Sequence, residues 1–405
     1  MREQMTHSAI DKNVPQLRFR EFNSTWNRIK LRNFITALKS GISVNSENVQ
    51  CQENEIGILK TSSINDGFFI PSQNKKIIER DIQRAKLNPQ KDSIIISRMN
   101  TPQLVGQIGY VPNNYNNLFI PDRLWQTVTN DKVNVKWLSY LLITSKIKFA
   151  ITSKATGTSG TMKNIAKPSF LSIPFHSPTL PEQQKIATFL SSVDAKLQQL
   201  SKKKSLLADY KKGVMQKIFS QELRFKDANG NNYPDWEEKK LGDLCEIKKG
   251  QQLNKDELIE DGIYPAINGG INPSGYTNEC NTPKNTITIS EGGNSCGFIN
   301  FIQSDFWSGG HCYSLLELND NILGKYLFQI LKHVQPLIMR LRVGSGLPNI
   351  QKKDINNFKV KLPSFAEQKK IATFLSALDA KIETVTTQIN NTQAFKKGLL
   401  QQMFV

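Results

Sequence analysis

The chain has 405 residues, of which 38% are hydrophobic and 22% are charged, values typical of a folded protein rather than a disordered one. Lys and Arg total 53 against 35 Asp and Glu, and this net charge of +18 favours a polyanionic partner, either nucleic acid or an anionic membrane. No apolar run approaches the roughly 20 residues that span a bilayer, so the sequence favours nucleic acid and no membrane partner.

Residues 1–14 form a polar lead-in without the apolar core of a secretory signal. The five cysteines are an odd number and include no C-x-x-C pair, so we expect reduced thiols in a cytoplasmic protein. His311 lies next to Cys312, but no second close pair of metal-ligand types accompanies them. We therefore interpret the cysteines as small, mostly buried thiols and predict no metal site.

Residues 15–178 are predicted to form a first domain of mixed α and β structure. IIIS at 94–97 is typical of a short strand, and the polar, glycine-bearing stretch 98–111 is expected to be a loop. A second loop of small residues, TGTSGTMKNI at 156–165, closes the domain. Such loops either present backbone N–H groups to phosphates or form simple turns, and both alternatives stay open.

Residues 179–221 are predicted to form a long helix. Apolar residues recur at alternating steps of four and three from Ile186 to Ile218, a spacing typical of a coiled-coil seam. Pro181 and Glu182 suit the first turn of such a helix. Lys211 falls on the seam, where it either fixes the register or extends its amine to water.

Residues 222–362 are predicted to form a second α/β domain that resembles the first. LRF at 223–225 repeats LRF at 17–19, and Trp236 repeats Trp26. TITIS at 286–290 predicts a strand, followed by an expected loop at 291–302, and VGSGLPNI at 343–350 is again a loop of small residues.

Residues 363–405 are predicted to form a second long helix that repeats the first. Glu182–Lys196 and Glu367–Lys381 are identical at twelve of fifteen positions, at an offset of 185 residues. If the two helices pair, the connectivity makes them antiparallel. The predicted fold is therefore α+β: two α/β domains separated by two long antiparallel coiled-coil helices, with an approximate two-fold symmetry.

The repeat also preserves polar residues outside the seam. A seam requires no particular polar residues beside it, so we interpret them as a second surface that binds a partner twice. The candidate partner-binding residues are Glu182, Gln183, Lys185 and Asp194 in the first helix and Glu367, Gln368, Lys370 and Asp379 in the second.

No catalytic signature is present. The sequence contains no G-x-x-x-x-G-K-[ST] motif and no Asn/Asp-Pro-Pro-aromatic motif of an amino-methyltransferase. A nuclease site would need charged residues on neighbouring strands. The charged residues of PDWEEK at 234–239 instead lie within one turn, so we interpret them as surface charge. A basic, repeated chain without catalytic residues is typical of a binding module.

Several of these segments resemble one known family. PEQQKIATFLSSVDAK and AEQKKIATFLSALDAK, each followed by KKG and a final Phe, are similar to the DNA-specificity subunit of type I restriction-modification enzymes. GILKTSSINDG at 57–67, YPAINGGINPSGY at 264–276 and GSGLPNI at 344–350 add to the resemblance, which runs from about Pro15 to Val405.

The resemblance implies that separate subunits carry out DNA recognition, methylation and restriction. Two target-recognition domains would each bind one half of a split, asymmetric double-stranded DNA site, and the helices would set the spacer between the halves. Two modification subunits would dock on the helices and methylate adenine with S-adenosylmethionine, and two restriction subunits would use ATP and Mg²⁺. This subunit would hold no cofactor and perform no chemistry.

Base recognition requires hydrogen-bonding side chains, with Arg suited to guanine and Asn or Gln to adenine. The candidates in the first domain are Lys60, Ser62, Asn65, Arg98, Asn100, Gln103 and Arg123. Those in the second are Gln251, Gln252, Asn254, Asn268, Asn272, Asn294 and His311. Phosphate contact and simple solvation are the alternatives for each of them. We expect Glu291 either to accept from cytosine or to cap a turn. The alternative for the whole chain is a coiled-coil scaffold that binds nucleic acid without sequence preference.

Overall fold

The computed structural model describes residues 13–157, 161–344, 346 and 348–405. Its internal contacts divide the chain into two compact units. Unit 1 takes in the chain up to Gln199 together with Ile389–Val405, and unit 2 is Leu200–Gln388. Each of the two long helices therefore begins in one unit and ends in the other.

The elements of the first half of the chain are mostly short strands. The strands are β1 Asn27–Lys30, β2 Ile35–Ser40, β3 Gly57–Leu59, β4 Ile64–Asn65, β5 Gly67–Phe69, β6 Asn74–Lys76, β7 Ser93–Ser97, β8 Met99–Asn100, β9 Ile108–Val111, β10 Leu118–Phe119, β11 Leu124–Thr129, β12 Lys163–Asn164 and β13 Pro174–Ser177. The helices are α1 Val135–Ile143, α2 Ser145–Ser153, α3 Lys167–Leu171 and the long α4 Leu180–Phe219.

Unit 1 is built on a six-stranded sheet in the order β2-β11-β7-β9-β5-β4. Strand β7, SIIIS, is buried along its whole length, as expected of a strand covered on both faces. The predicted loop at 98–111 is wrong at its end, because residues 108–111 form β9 and pair antiparallel with β7. Ile108 and Val111 enter the core, which gives this segment its strand structure.

The second half of the chain repeats this organisation. The strands are β14 Glu237–Lys240, β15 Glu246–Lys249, β16 Tyr264–Ile267, β17 Gly275–Thr277, β18 Thr286–Ser290, β19 Ile299–Ile302, β20 Trp307–Ser308, β21 Cys312–Leu316 and β22 Lys359–Leu362. The helices are α5 Gly324–Ile338, α6 Lys352–Asn357 and the long α7 Phe365–Gln402.

Unit 2 is built on a four-stranded antiparallel sheet in the order β15-β21-β18-β19. This sheet reproduces β2-β11-β7-β9 of unit 1 in strand order and direction. Residues 299–302, expected to be loop, form β19 and correspond to β9. Both domains are therefore α/β, and they share one sheet topology despite their divergent sequences.

Each core contains the start of one long helix and the end of the other. In unit 1, Ile186 and Leu190 of α4 belong to the same buried cluster as Leu399 of α7 and Phe404 just after it, and Phe404 stacks on Trp137. The corresponding cluster of unit 2 includes residues from the end of α4 and the start of α7: Ile218, Phe219, Ile371 and Leu375. Two helices that meet start to end in this way are antiparallel, as predicted.

The predicted seam is confirmed, because every seam position is buried or partly buried. Two of its lysines, Lys211 and Lys396, are paired with aspartates of the other helix. In unit 1, Lys396 Nζ lies 2.6 Å from Asp194 Oδ1, while Asp194 Oδ2 accepts from Tyr140 Oη at 2.6 Å. In unit 2, Lys211 Nζ donates to Asp379 Oδ1 at 2.6 Å, and Gln329 donates to the second oxygen at 2.8 Å.

The two ion pairs differ in exposure, which leads to a prediction. Lys396→Ala should destabilise unit 1 by roughly 3–5 kcal/mol, because it leaves the Asp194 carboxylate buried without its cation. Lys211→Ala should cost less in unit 2, because the Asp379 side chain is 42% exposed and water screens its charge. Hydrogen exchange of the amides of α1 and α5 measures the two effects locally. Equal losses of protection in the two units would contradict this prediction.

Candidate nucleic-acid interface

The glutamate near the start of each long helix is buried inside its own unit. Glu182 is 0% exposed and accepts from Arg18 Nε at 2.7 Å, from Arg18 Nη2 at 2.8 Å and from Trp26 Nε1 at 3.3 Å. The same contacts recur in unit 2 among Glu367, Arg224 and Trp236. Hydrogen bonding to Glu367 raises the pKa of Arg224 above its usual value. The repeated LRF and Trp motifs thus tie each domain to its helix.

The glutamine that follows each glutamate has a similar internal role. Gln183 Oε1 accepts from the backbone N–H of Asn134, which caps α1, at 2.9 Å. Gln368 Oε1 accepts from the N–H of Leu323, which precedes α5, at 2.8 Å. Both side-chain amides also donate to the carbonyl of a nearby proline. Each glutamine therefore joins the start of a long helix to the start of a domain helix.

These contacts correct most of the predicted docking surface. Five of its residues are buried within their own units and cannot present their polar groups to a partner: Glu182, Gln183, Asp194, Glu367 and Gln368. Asp379 is partly exposed, but Lys211 and Gln329 occupy its two oxygens. Internal hydrogen bonds account for these shared polar residues, and the repeat alone does not distinguish such bonds from a binding surface.

Lys185 and Lys370 remain exposed at equivalent positions. Lys185 Nζ lies 3.3 Å from Glu21 Oε1 and 5.5 Å from the centre of the Phe19 ring. Lys370 Nζ lies 5.7 Å from the centre of the Tyr233 ring. Their docking role stays a prediction.

Five of the seven first-unit candidates lie at one end of the sheet. Arg98 follows β7, and its N–H donates at 3.1 Å to the carbonyl of Arg123, which precedes β11. Asn100 donates to the side chain of the last residue of β7, and Gln103 is exposed in the loop beyond it. Asn65 lies in the β4–β5 hairpin at this same end, because β5 starts beside the start of β9.

Lys60 and Ser62 lie elsewhere. Lys60 follows β3, which belongs to a separate three-stranded sheet with β10 and β6. The Ser62 hydroxyl donates to Gln73 Oε1 at 3.0 Å, in the turn before β6. The structure therefore does not join these two candidates to the other five.

Five of the seven second-unit candidates gather at the equivalent end of their sheet. The carbonyl of His311 accepts from the N–H of Glu291 at 2.9 Å, and the N–H of His311 donates to Asn268 Oδ1 at 3.1 Å. Gln251 and Gln252 directly follow β15 and Gly250, and Asn294 is exposed in the 3-10 turn Gly293–Ser295.

Two second-unit candidates stand apart from this group. The N–H of Asn254 donates to Glu257 Oε2 at 2.7 Å and so closes its own short turn. Asn272 is exposed in the hairpin loop between β16 and β17. Within the described residues neither has a hydrogen bond to the group around His311.

A buried carboxylate lies at the centre of the second-unit group. Glu291 is 4% exposed, and its Oε1 accepts from Lys249 Nζ at 2.6 Å and from Tyr313 Oη at 3.0 Å. Its Oε2 has no hydrogen-bond partner, and His311 Nδ1 lies 3.6 Å away. Glu291 is therefore neither an exposed acceptor for cytosine nor a turn cap: it holds Lys249.

Sequence reasoning missed Lys249. Its side chain is 52% exposed, like that of an ordinary surface lysine, and only the strand order β15-β21-β18 brings it to Glu291, 42 residues later. A possible sequence signal was Gly250, where the strand gives way to the loop of Gln251 and Gln252.

In the described part of the chain, no group of three or more His, Cys, Asp or Glu side chains is placed to hold a metal ion. Burial raises the pKa of Cys312 to about 11 and that of Cys245 to about 12, so both are protonated thiols at neutral pH. Among the same residues, no helix has the length and apolar character needed to cross a membrane.

Comparison with known proteins identifies the family. Residues 23–208 and 233–392 match the family described as the type I restriction modification DNA specificity domain. The chain belongs to this family. Its two matched segments correspond to the two halves of the internal repeat, so the chain carries two copies of the specificity domain.

Named relatives agree with this assignment. A protein of Mycoplasma pneumoniae named as a type I specificity subunit is 36% identical over 176 residues, which are 43% of this chain and 47% of that protein. The aligned part thus spans about half the length of that relative. A specificity subunit of the MjaX enzyme of Methanocaldococcus jannaschii is 24% identical over 96% of this chain and 95% of its own.

The specificity-domain fold is also found in a solved structure. The crystal structure of a type I restriction-modification S subunit from M. genitalium superposes with a TM-score of 0.68, covering 97% of this chain and 99% of that one. The sequence identity is 22%, so the likeness concerns the fold.

Proposed function

We propose that this chain is the sequence-specific DNA-binding subunit of a type I restriction-modification complex, in which each unit recognises one half of a split, asymmetric site. The observation that carries the proposal is the pair of equivalent sheet ends. The same backbone frame occurs once in each unit, with different polar side chains on it. That combination suits a protein that contacts two different sequences in the same manner. Identical side chains would suit a repeated half-site instead.

Charge and side-chain chemistry support DNA as the ligand. The net charge of +18 supplies the sequence-independent attraction to phosphates, which weakens as salt rises. The sheet ends add Arg, Lys, Asn, Gln and His side chains, the donors and acceptors that match base edges. Phosphate contacts then position the duplex, and base contacts specify it.

Chemistry is assigned to the partner subunits. Two modification subunits dock on the long helices and methylate adenine with S-adenosylmethionine, and restriction subunits use ATP and Mg²⁺ for translocation and cleavage. This subunit holds no cofactor. The long helices set the distance between the half-sites. Support comes from the family membership and from the relatives that are named specificity subunits.

Methylation mapping tests the central proposal. Cells that express the chain with its modification subunit should show adenine methylation at one split motif. Exchange of residues 222–362 for the corresponding domain of another specificity subunit should change one half of the motif only. A change in both halves would contradict modular recognition. Equal competition by random DNA in a binding assay would indicate the unspecific scaffold instead.

The spacer role predicts a change of gap. Four residues inserted into α4 beside Gln199 add about 6 Å of helix. The tolerated gap between half-sites should lengthen by about one to two base pairs, since base pairs are about 3.4 Å apart. The same insertion after Gly230, in an exposed turn, is the control and should leave the gap unchanged. An unchanged gap with the α4 insertion would rule out the spacer role.

The docking role of the exposed lysines is tested by charge reversal. Lys185→Glu combined with Lys370→Glu should lower recovery of the complex with the modification subunit roughly tenfold or more, because like charges would then face each other. Lys202→Glu combined with Lys203→Glu is the matched control, since both are exposed on α4 and have Thr387 and Gln388 as counterparts in the repeat. Undiminished co-purification of the first variant would count against docking at these positions.

A further inference from the structure

Two positions at the sheet end are equivalent in the two units. In unit 1, Arg98 follows β7 and its N–H donates to the carbonyl of Arg123, just before β11. In unit 2, Glu291 follows β18 and its N–H donates to the carbonyl of His311, just before β21. The carbonyls of Arg98 and Glu291 also accept equivalent bonds, each from an isoleucine N–H at 2.9 Å. The backbone frame is therefore the same, and the side chains differ.

A third equivalent position completes the group. Ser40 ends β2 and pairs with Trp125, the second residue of β11, while Lys249 ends β15 and pairs with Tyr313, the second residue of β21. The three positions thus lie on adjacent strands at one end of each sheet. Unit 1 places a serine and two arginines there, and unit 2 places a lysine, a glutamate and a histidine.

The environment of Glu291 makes the unit 2 group distinctive. A carboxylate that is 4% exposed requires a cation or several donors to offset the loss of water. Lys249 supplies the cation, and the Tyr313 hydroxyl supplies one further donor. The second carboxylate oxygen is buried without a hydrogen bond. The lysine amine is consequently held at the sheet end instead of moving freely in solvent.

The charge of this pair indicates which part of DNA it contacts. Lys249 and Glu291 together are neutral, so the pair gives little net attraction for a phosphate, which unpaired surface lysines bind better. The lysine amine has three N–H donors, and Glu291 accepts from one of them. The other two remain available to acceptors outside the protein, because the Lys249 side chain is 52% exposed. Guanine offers two adjacent acceptors, O6 and N7, on its major-groove edge.

We propose that Lys249, positioned by the buried Glu291, is the residue of unit 2 that discriminates guanine in its half of the DNA site. His311 lies beside the pair, just before β21, with its Nδ1 3.6 Å from Glu291 Oε2. The inference rests on the proposed function, and it adds the identity of one base and of the residue that contacts it. In unit 1 the equivalent positions carry Ser40, Arg98 and Arg123, which form no lysine–carboxylate pair of this kind.

The test uses the purified complex of the full chain with its modification subunit. Wild-type binding is measured to a duplex carrying its methylated motif and to duplexes with each base pair of the motif replaced in turn. Lys249→Met should reduce discrimination at one guanine by roughly ten- to hundredfold and leave the other half-site unaffected. Glu291→Gln should weaken discrimination at that same guanine, because the neutral amide holds the amine less firmly than the carboxylate does. Lys249→Arg, which keeps the donors, should retain a preference for guanine.

Lys248→Met is the matched control. Lys248 is the preceding residue of β15, is exposed and points to the other face of the strand, so its loss should leave the base preference intact. Full discrimination by Lys249→Met at every position would overturn the inference, as would a motif without guanine in the half assigned to unit 2. Uniform weakening on all sequences with a smaller salt dependence would show a phosphate contact and also overturn it. Absence of any split motif for the wild-type complex would instead refute the proposed function itself.

Discussion

A buried carboxylate at the start of each long helix is the constraint on which both units depend. Glu182 and Glu367 are fully removed from water, and an ionised carboxylate in that position is tolerated only with a cation and further donors. Arg18 and Arg224 supply the cation with two N–H groups each, and a tryptophan N–H adds a donor. Because the arginine lies in the domain's opening segment and the glutamate lies in the helix, the bond fixes where a domain meets its helix. The domain can then diverge elsewhere without losing that attachment.

This constraint also explains which parts of the repeat stay alike. Seam positions are restricted by packing, and the polar residues between them are restricted by bonds to the domain. Gln183 and Gln368 each accept a hydrogen bond from the residue that precedes a domain helix. Two seam lysines pair with aspartates of the opposite long helix. The sheet ends are under no such restriction, because their main-chain hydrogen bonds form with any side chain at these positions. The side chains at the two sheet ends therefore differ, while the backbone frame that holds them is the same.

Prediction from sequence succeeded where periodicity carried the information. The 3.5-residue spacing located both helices, the connectivity gave their antiparallel direction, and the apolar runs at 94–97 and 286–290 were recognised as strands. It failed where a contact joins distant segments. Short strands such as β9 and β19 look like loops until a partner strand covers them, and Lys249 meets Glu291 only once the sheet has formed. The burial of Glu182 and Gln183 was equally hidden, since a charged residue in a helix is usually exposed.

Unit 1 is made of two segments from opposite ends of the chain, and this affects the order in which the units fold. Its core requires Leu399, Met403 and Phe404, and the N–H of Leu17 donates to the carbonyl of Gln402 at 2.9 Å. These residues are synthesised after the whole of unit 2, whereas unit 2 is a continuous segment, Leu200–Gln388. Synthesis of the second unit is therefore complete before synthesis of the first unit is. Unit 1 must close a loop of nearly the full chain length, an entropic cost that grows only slowly with length but delays its completion. During synthesis, the half that is translated first is the half that is finished last.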